Sequence, residues 1–137
     1  MALQANEPRA SYLTPLTPEK VAGGALRTLF RIADAWQLGS KDLIKLLGSP
    51  PRSTFYKWKG GDVTTLPQDV LERISYIFGI YSALQVLLPK PEAADGWIKK
   101  PNTAPLFGGK SALDRMLSGQ VADLYVVRQY LDAQRGG

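Results

Sequence analysis

The chain has 137 residues, and its 17 basic and 12 acidic side chains give a net charge of +5 with a pI near 9.6. This length suits one compact domain, or two small helical units that share a core. The sequence contains no cysteine and no histidine, which excludes disulfides, thiolate nucleophiles, cysteine-ligated metals and most hydrolase triads. We therefore expect no catalytic residue, metal site or cofactor. The sequence also shows no signal peptide and no long uninterrupted apolar run, which favours the cytoplasm.

The excess of basic side chains is confined to one block. Residues 20–61 contain eight basic and two acidic residues, whereas residues 62–137 contain eight of each. A localised cationic block favours a unit that binds a polyanion, joined to a neutral unit with another task. A solvated basic face with no partner is the alternative that charge alone leaves open.

The N-terminal part of the sequence predicts an arm followed by a helix. Residues 1–16 carry two prolines and little periodicity, so we interpret them as a flexible arm. Thr17 as N-cap and Pro18 at the first helical position predict a helix start, and Gly39 marks its end. The buried face of this helix is predicted from apolar positions spaced three or four apart, which are Ala22, Leu26, Leu29, Ala33 and Trp36.

Two short helices joined by a glycine turn follow. The first is predicted over residues 41–47, and the second ends at Trp58. Ser40 is the predicted N-cap of the first helix, and Gly48 ends it. Ser49 or Pro50 is the predicted start of the second helix, and Gly60 with Gly61 ends that one. This arrangement is typical of a helix-turn-helix, and we assign residues 17–65 to that unit.

The second short helix carries the side chains expected of a DNA-recognition helix. In a helix-turn-helix this helix enters the major groove, where its first residues reach base edges and flanking cations hold phosphates. Phe55 and Trp58 are predicted to pack inward, and Arg52 is the candidate for a bidentate guanine contact. The candidate DNA-binding residues are Arg52, Ser53, Thr54, Tyr56, Lys57 and Lys59.

The remaining sequence also predicts helices. Thr64 or Thr65 is expected to cap a long helix whose apolar stripe is Val70, Ile74, Ile77, Tyr81, Leu84 and Leu88. A short segment ending at Ile98 and a short helix over residues 111–117 precede a last helix from about Val121 to Ala133. No segment alternates with period two for long. The predicted fold class is all-α. A helix-turn-helix bundle is joined by a long helix to a small helical C-terminal domain, and residues 66–137 form this long helix and this domain.

One motif imitates a nucleotide-binding loop. Gly109-Lys110-Ser111 matches the end of a phosphate-binding P-loop, but Ala104 stands where the motif requires its first glycine. The preceding prolines also argue against the strand that the motif needs. We interpret the run as a glycine turn before an N-cap at Ser111.

The second half of the sequence resembles the antitoxins of the Xre/MbcA/ParS family. The runs that carry the resemblance are Phe78-Gly79-Ile80, Val86-Leu87-Leu88, Trp97-Ile98, Pro101-Asn102, Leu106-Phe107-Gly108-Gly109, Ser111-Ala112-Leu113, Ser118-Gly119 and Tyr130-Leu131. The run from Ser53 to Trp58 likewise resembles the recognition helix of phage-repressor-like (Xre) proteins, although the turn before it is one residue longer. Family members usually have proline where Ala112 stands.

This resemblance implies a partner and an activity. Antitoxins of the family neutralise RES-domain toxins, which consume NAD or ADP-ribosylate a target, by covering the toxin active site with their C-terminal region. They commonly repress their own operon through the helix-turn-helix. The residues expected to contact the toxin are Trp97, Pro101, Asn102, Arg128, Tyr130, Gln134, Arg135, Gly136 and Gly137.

The C-terminal residues suggest how such inhibition could work. The carboxylate of Gly137, on a slender tip with Gly136, could enter a pocket built for the pyrophosphate of NAD, and Arg135 could reach an acidic catalytic residue beside it. A frayed end is the alternative for this segment, and an ordinary turn over the core is the alternative for Trp97, Pro101 and Asn102.

The sequence thus favours a cytoplasmic antitoxin that binds a RES-domain toxin and operator DNA. A homodimer within a toxin–antitoxin complex is expected, because operators with two half-sites favour two-fold symmetry. The alternative is a stand-alone transcriptional regulator whose C-terminal half only dimerises. An enzyme finds little support, because no two carboxylates occur at a convincing spacing.

Overall fold

The computed structural model describes residues 17–136, so the predictions made for residues 1–16 and Gly137 lie outside the described residues. Over the described range the chain is helical, as predicted, with a single isolated bridge between Pro101 and Ser111. The helices are α1 (Pro18–Ala35), α2 (Ser40–Leu46), α3 (Arg52–Lys59), α4 (Gln68–Leu87), α5 (Pro91–Gly96), a 3-10 helix (Trp97–Lys99), α6 (Ala112–Met116) and α7 (Val121–Gln134).

Helix α1 begins as the sequence predicts. The Thr17 hydroxyl accepts a hydrogen bond from the Lys20 amide at 3.1 Å, and Pro18 occupies the first turn, where it has no amide to satisfy. All five predicted apolar positions of this helix are buried. The helix ends at Ala35, earlier than Gly39, because Gln37 adopts the left-handed conformation with φ of 56°.

The turn between α2 and α3 corrects the predicted start of the recognition helix. Helix α3 begins at Arg52, not at Ser49 or Pro50. Ser49 has a left-handed φ of 60° and Pro51 is extended, so neither residue is helical. Ser49 and Pro50 each precede a proline, which disfavours the helical region at both positions. Arg52 therefore occupies the first turn of α3, where the amino-terminal side chains of a recognition helix reach the DNA.

Two predicted caps are also wrong. Helix α2 is preceded by Gly39, and Ser40 is its first helical residue. Helix α4 is preceded by Pro67 and has no side-chain cap, so neither Thr64 nor Thr65 serves as one. Pro67 has a φ of −54° and leads into α4 in an extended conformation, so the residue at the N-cap position offers no side-chain acceptor to the first turn.

Helix α4 is the central helix. Its packing against α7 is the most extensive between any two helices of the described range, and it also contacts α1 and α5. The predicted stripe is buried except for Tyr81 and Leu88, which are half-buried. By length and composition α4 could cross a membrane, which is weak evidence of a span for a helix that packs against α1, α5 and α7 and buries Ile74, Ile77 and Leu84 in the core.

The C-terminal part packs on α4 through short elements and α7. Ser111 and Asp114 form a reciprocal capping box at the start of α6, which confirms the interpretation of Gly109-Lys110-Ser111 as a turn before an N-cap. On α7, Leu124, Val127 and Leu131 are buried, whereas Val121 is half-buried. The Lys99 ammonium donates to the Gln37 carbonyl at 2.9 Å and so connects this part to the end of α1.

We predict that Gly48→Ala destabilises the protein. Gly48 has a φ of 87°, and a Cβ there would lie 2.9 Å from Arg73 Nε, so both the backbone and the neighbour resist a side chain. The expected loss is about 1–3 kcal/mol of unfolding free energy, measured by urea denaturation.

Gly96→Ala is the matched control. Gly96 has a helical φ of −91°, and a Cβ there would meet no atom within 4 Å. We expect this variant to stay within about 0.5 kcal/mol of the parent, the range of ordinary surface changes. Equal losses in the two variants would contradict the role assigned to Gly48.

Candidate functional site

The first candidate site is the exposed side of α3, called here the recognition face. Phe55 and Trp58 are buried in the core, as predicted, and they fix the helix against the rest of the bundle. The polar side chains of this helix point outward. Thr54 is half-buried, and the exposed residues are Arg52, Ser53, Tyr56, Lys57 and Lys59. The structure therefore places all six predicted DNA-binding residues on one short helix, and five of them are exposed.

Tyr56 lies at the centre of the recognition face. Its ring is 44% exposed, and it contacts two cations, with Arg52 Cζ 5.6 Å and Lys59 Nζ 6.0 Å from the ring centroid. The ring also packs edge-to-face on the buried Phe55 ring, 5.1 Å away between centroids. The Tyr56 ring thus connects the hydrophobic core to the cations that the face presents, and cation–π attraction favours that arrangement.

The electrostatic surroundings of Tyr56 are positive. Its pKa is lowered from the ordinary value, first by hydrogen bonding with the Ser40 side chain and then by the charges of Arg52 and Lys59, with desolvation opposing these effects. The Ser40 side chain favours the phenolate because it supplies a proton donor, and Arg52 and Lys59 favour it because they supply positive charge. A polyanion approaching this face meets the same positive field.

The turn before the recognition face is supported from α4. Arg73 is 8% exposed, and its Nε donates to Asp69 Oδ2 at 3.0 Å. The pair lies directly against Gly48, the first residue of the turn between α2 and α3 with a left-handed φ. Sequence analysis missed this support, since a charged pair four residues apart on a helix is usually solvated.

The second candidate site is an aromatic cluster formed by Trp97, Phe107 and Tyr130. Trp97 stacks on Tyr130 with 6.3 Å between ring centroids and an interplanar angle of 22°. Phe107 packs edge-to-face on both of them, at 5.8 Å and 5.2 Å. Trp97 and Tyr130, both predicted from the sequence, are half-buried and therefore present part of their rings at the surface. Phe107 was not singled out as a site residue because its apolar side chain carries no recognisable chemistry.

Pro101 and Asn102 shape the loop beside this cluster. The Asn102 side chain accepts a hydrogen bond from the Ala104 amide at 2.9 Å, and its backbone exchanges hydrogen bonds with Lys110 and Gly109. Pro101 forms the isolated bridge with Ser111. Both residues therefore close a compact loop that holds Phe107 against Trp97 and Tyr130. This arrangement fits the alternative that the sequence left open for Pro101 and Asn102, an ordinary turn over the core.

Two of the predicted residues, Arg128 and Arg135, lie along a groove between α4 and α7. Arg128 crosses α4 at Gly79, where a Cβ would lie within 3 Å of its guanidinium, and its Nε is 3.6 Å from Asp132 Oδ2. Arg135 also lines this groove, which has a volume of about 410 Å³. Gln134 and Gly136 are exposed at the end of α7, and Gly137 lies outside the described residues.

Comparison with known proteins decides the family. Residues 19–79 match the family described as the antitoxin Xre-like helix-turn-helix domain, and residues 83–137 match the antitoxin Xre/MbcA/ParS C-terminal toxin-binding domain. The protein belongs to the Xre/MbcA/ParS family of antitoxins. The uncharacterized protein y4oB of Sinorhizobium fredii (strain NBRC 101917 / NGR234) is 59% identical to this antitoxin over 114 residues, which cover 82% of this chain and 84% of that protein.

The family assignment places both candidate sites in domains of stated type. The recognition face lies in the helix-turn-helix domain, and the aromatic cluster lies in the toxin-binding domain, so the chain is an antitoxin of a toxin–antitoxin system. Both domain families consist in general of binding proteins and not of enzymes. Among residues 17–136, no three acidic side chains come together in a group that could hold a metal ion.

We predict that Asn102→Ala loosens the loop beside the aromatic cluster. The variant leaves the Ala104 amide without its side-chain acceptor, and a lost hydrogen bond of this kind costs about 0.5–1.5 kcal/mol of unfolding free energy. Thermal unfolding and hydrogen exchange at Ala104 measure the effect. Asn102→Asp retains the acceptor oxygen and should lose less, so a greater loss in the aspartate variant would refute this role.

Proposed function

We propose that this antitoxin neutralises a RES-domain toxin, one that consumes NAD or transfers its ADP-ribose, by covering the toxin active site. The aromatic cluster supports a protein partner, because half-buried tryptophan and tyrosine side chains are enriched where interfaces carry most of their binding energy. The exposed end of α7 beyond the core supplies Gln134 and Arg135. The motif string from Trp97 to Gly119, shared with antitoxins of this type, supports the RES class of toxin.

The contact with the toxin is proposed to include both surfaces of the C-terminal domain. The aromatic cluster supplies apolar area on a rigid base, and the groove between α4 and α7 supplies the guanidinium groups of Arg128 and Arg135. An arginine suits an acidic catalytic residue, because its planar group can donate two parallel hydrogen bonds to one carboxylate. Gly136 allows close approach, since its φ of 88° is accessible mainly to glycine.

We also propose that the antitoxin represses its own operon as a homodimer in the cytoplasm. The observation that supports DNA binding is the recognition face, which presents three cations on a helix whose apolar side is buried. Arg52 in the first turn is proposed to contact a guanine. Ser53 and Thr54 are proposed to contact phosphates or base edges, and Lys57 and Lys59 to contact phosphates. A homodimer would match an operator with two half-sites.

We predict that the antitoxin co-purifies with its toxin in near-equal amount, and that Arg135→Ala weakens the complex. The expected loss of affinity is about 2 kcal/mol, the size associated with an interface hot spot. Binding is measured by calorimetry with the purified toxin, and NAD consumption or ADP-ribosylation by the toxin reports its inhibition. Removal of residues 134–137 should weaken inhibition at least as much.

Lys90→Ala is the control for Arg135→Ala. It removes one exposed positive charge from the segment before α5, outside both proposed contact surfaces. Equal affinity of the parent and both variants for the toxin would contradict a contact at the end of α7. Recovery of promoter DNA alone, with no toxin, would favour the stand-alone regulator.

We predict that Arg52→Ala weakens binding to the operon's own promoter by about 1–3 kcal/mol, the cost of one lost bidentate base contact. Electrophoretic mobility shift with the promoter duplex and with a scrambled duplex measures affinity and preference. Toxin inhibition by the same variant should remain at the parent level. A matching loss of both activities would contradict the separation of the two surfaces.

A further inference from the structure

A second cationic surface lies beside the recognition face, on the side of α1. It is a groove of about 510 Å³ between α1, the start of α2 and the end of α3, called here the α1 groove. Its apolar floor includes Phe30 and Leu43, and its polar lining includes Arg27, Arg31, Asp34, Ser40 and Lys59. Neither the sequence motifs nor the family comparisons assign a role to Arg27 or Arg31.

The cations of the α1 groove have no anionic partner in the described part of the chain. Arg27, Arg31 and Lys59 form no salt bridge with any residue of the range 17–136. Arg27 and Arg31 are exposed and four residues apart on α1, so they share a face of the helix with a rise of about 6 Å between them. Three cations against the single carboxylate of Asp34 leave the groove with a net positive charge.

The α1 groove is continuous with the recognition face. Lys59 belongs to both, because it lines the groove while its ammonium lies 6.0 Å from the Tyr56 ring centroid. Ser40 also lines the groove, and its side chain is the first cause of the lowered pKa of Tyr56. A strip of positive charge therefore runs from Arg52 across Tyr56 and Lys59 to Arg31 and Arg27.

We propose that the α1 groove binds phosphates of the DNA backbone that flank the bases read by α3. This inference rests on the proposed DNA binding and extends it to a surface outside the recognition helix. Guanidinium groups suit phosphate oxygens because they can donate two hydrogen bonds in one plane. Backbone contacts of this kind set the register of the protein on the duplex, carry no sequence information, and contribute to affinity in a salt-dependent way.

The test compares the parent and three full-length variants on two DNA duplexes. The variant Arg27→Gln/Arg31→Gln removes the two charges, and Lys100→Gln/Lys110→Gln removes the same charge from exposed residues of the loop around the aromatic cluster. Fluorescence anisotropy measures the affinity of each protein for a duplex carrying the operon's promoter and for a scrambled duplex. The salt concentration is varied from about 50 to about 300 mM, a range in which counterion release makes the affinity fall steeply. The slope of log affinity against log salt reports the number of phosphates contacted.

Loss of two phosphate contacts should make the slope shallower by about 2 and reduce affinity for both duplexes by about tenfold or more at low salt. The preference for the promoter over the scrambled duplex should not change. The lysine control should keep the parent slope, and Arg27→Lys/Arg31→Lys should restore it. The inference is overturned if the glutamine variant keeps the parent slope, or if it changes no more than the lysine control.

The same titrations separate this inference from the proposed function. A parent protein that prefers its promoter, combined with an unaffected Arg27→Gln/Arg31→Gln variant, would overturn the α1 groove alone. A parent protein that does not distinguish the two duplexes would overturn the proposed operator binding and this inference with it. Thermal unfolding checks that each variant is folded. Because Arg27 and Arg31 are exposed, we expect their substitution to leave the core unaltered.

Discussion

Burial of the apolar face of α4 is the constraint on which the rest of the structure depends. This helix packs against α1 in the helix-turn-helix domain and against α7 in the toxin-binding domain, so one hydrophobic core serves both. The core residues of α4 include Ile77, Ile80 and Leu84, all essentially inaccessible to solvent. Because both domains share this helix, the recognition face and the aromatic cluster are held on a common rigid support.

Each binding surface is connected to that core through aromatic or charged side chains. Phe30 packs on Phe55, and Phe55 packs on Tyr56, which contacts Arg52 at the surface. On the other side, Phe107 fixes the stacked rings of Trp97 and Tyr130. Side chains fixed in this way lose less conformational entropy on binding, which is the physical benefit of a preorganised surface.

Sequence periodicity predicted the helices well because burial of one face every 3.6 residues is a local signal. It failed at the junctions, where Ser49 adopts a left-handed φ before two prolines and where Pro67, not a threonine, precedes α4. It also missed Arg73, whose burial depends on the contact with Gly48 that exists only in the folded protein. Arg128 lies close to Gly79, although the two residues are 49 positions apart in the sequence, so no local sequence pattern predicts this contact.

The sequence by itself determined the helical class, the cationic block, the inward packing of Phe55 and Trp58 and the N-cap at Ser111. These follow from composition, spacing and short-range hydrogen bonding, which neighbouring residues decide. Only the tertiary structure decided which cations share a surface, bringing Arg27 and Arg31 of α1 beside Lys59 of α3. It also assembled the Trp97, Phe107 and Tyr130 rings from three separate elements, since contacts between distant residues depend on how the helices pack and not on local sequence.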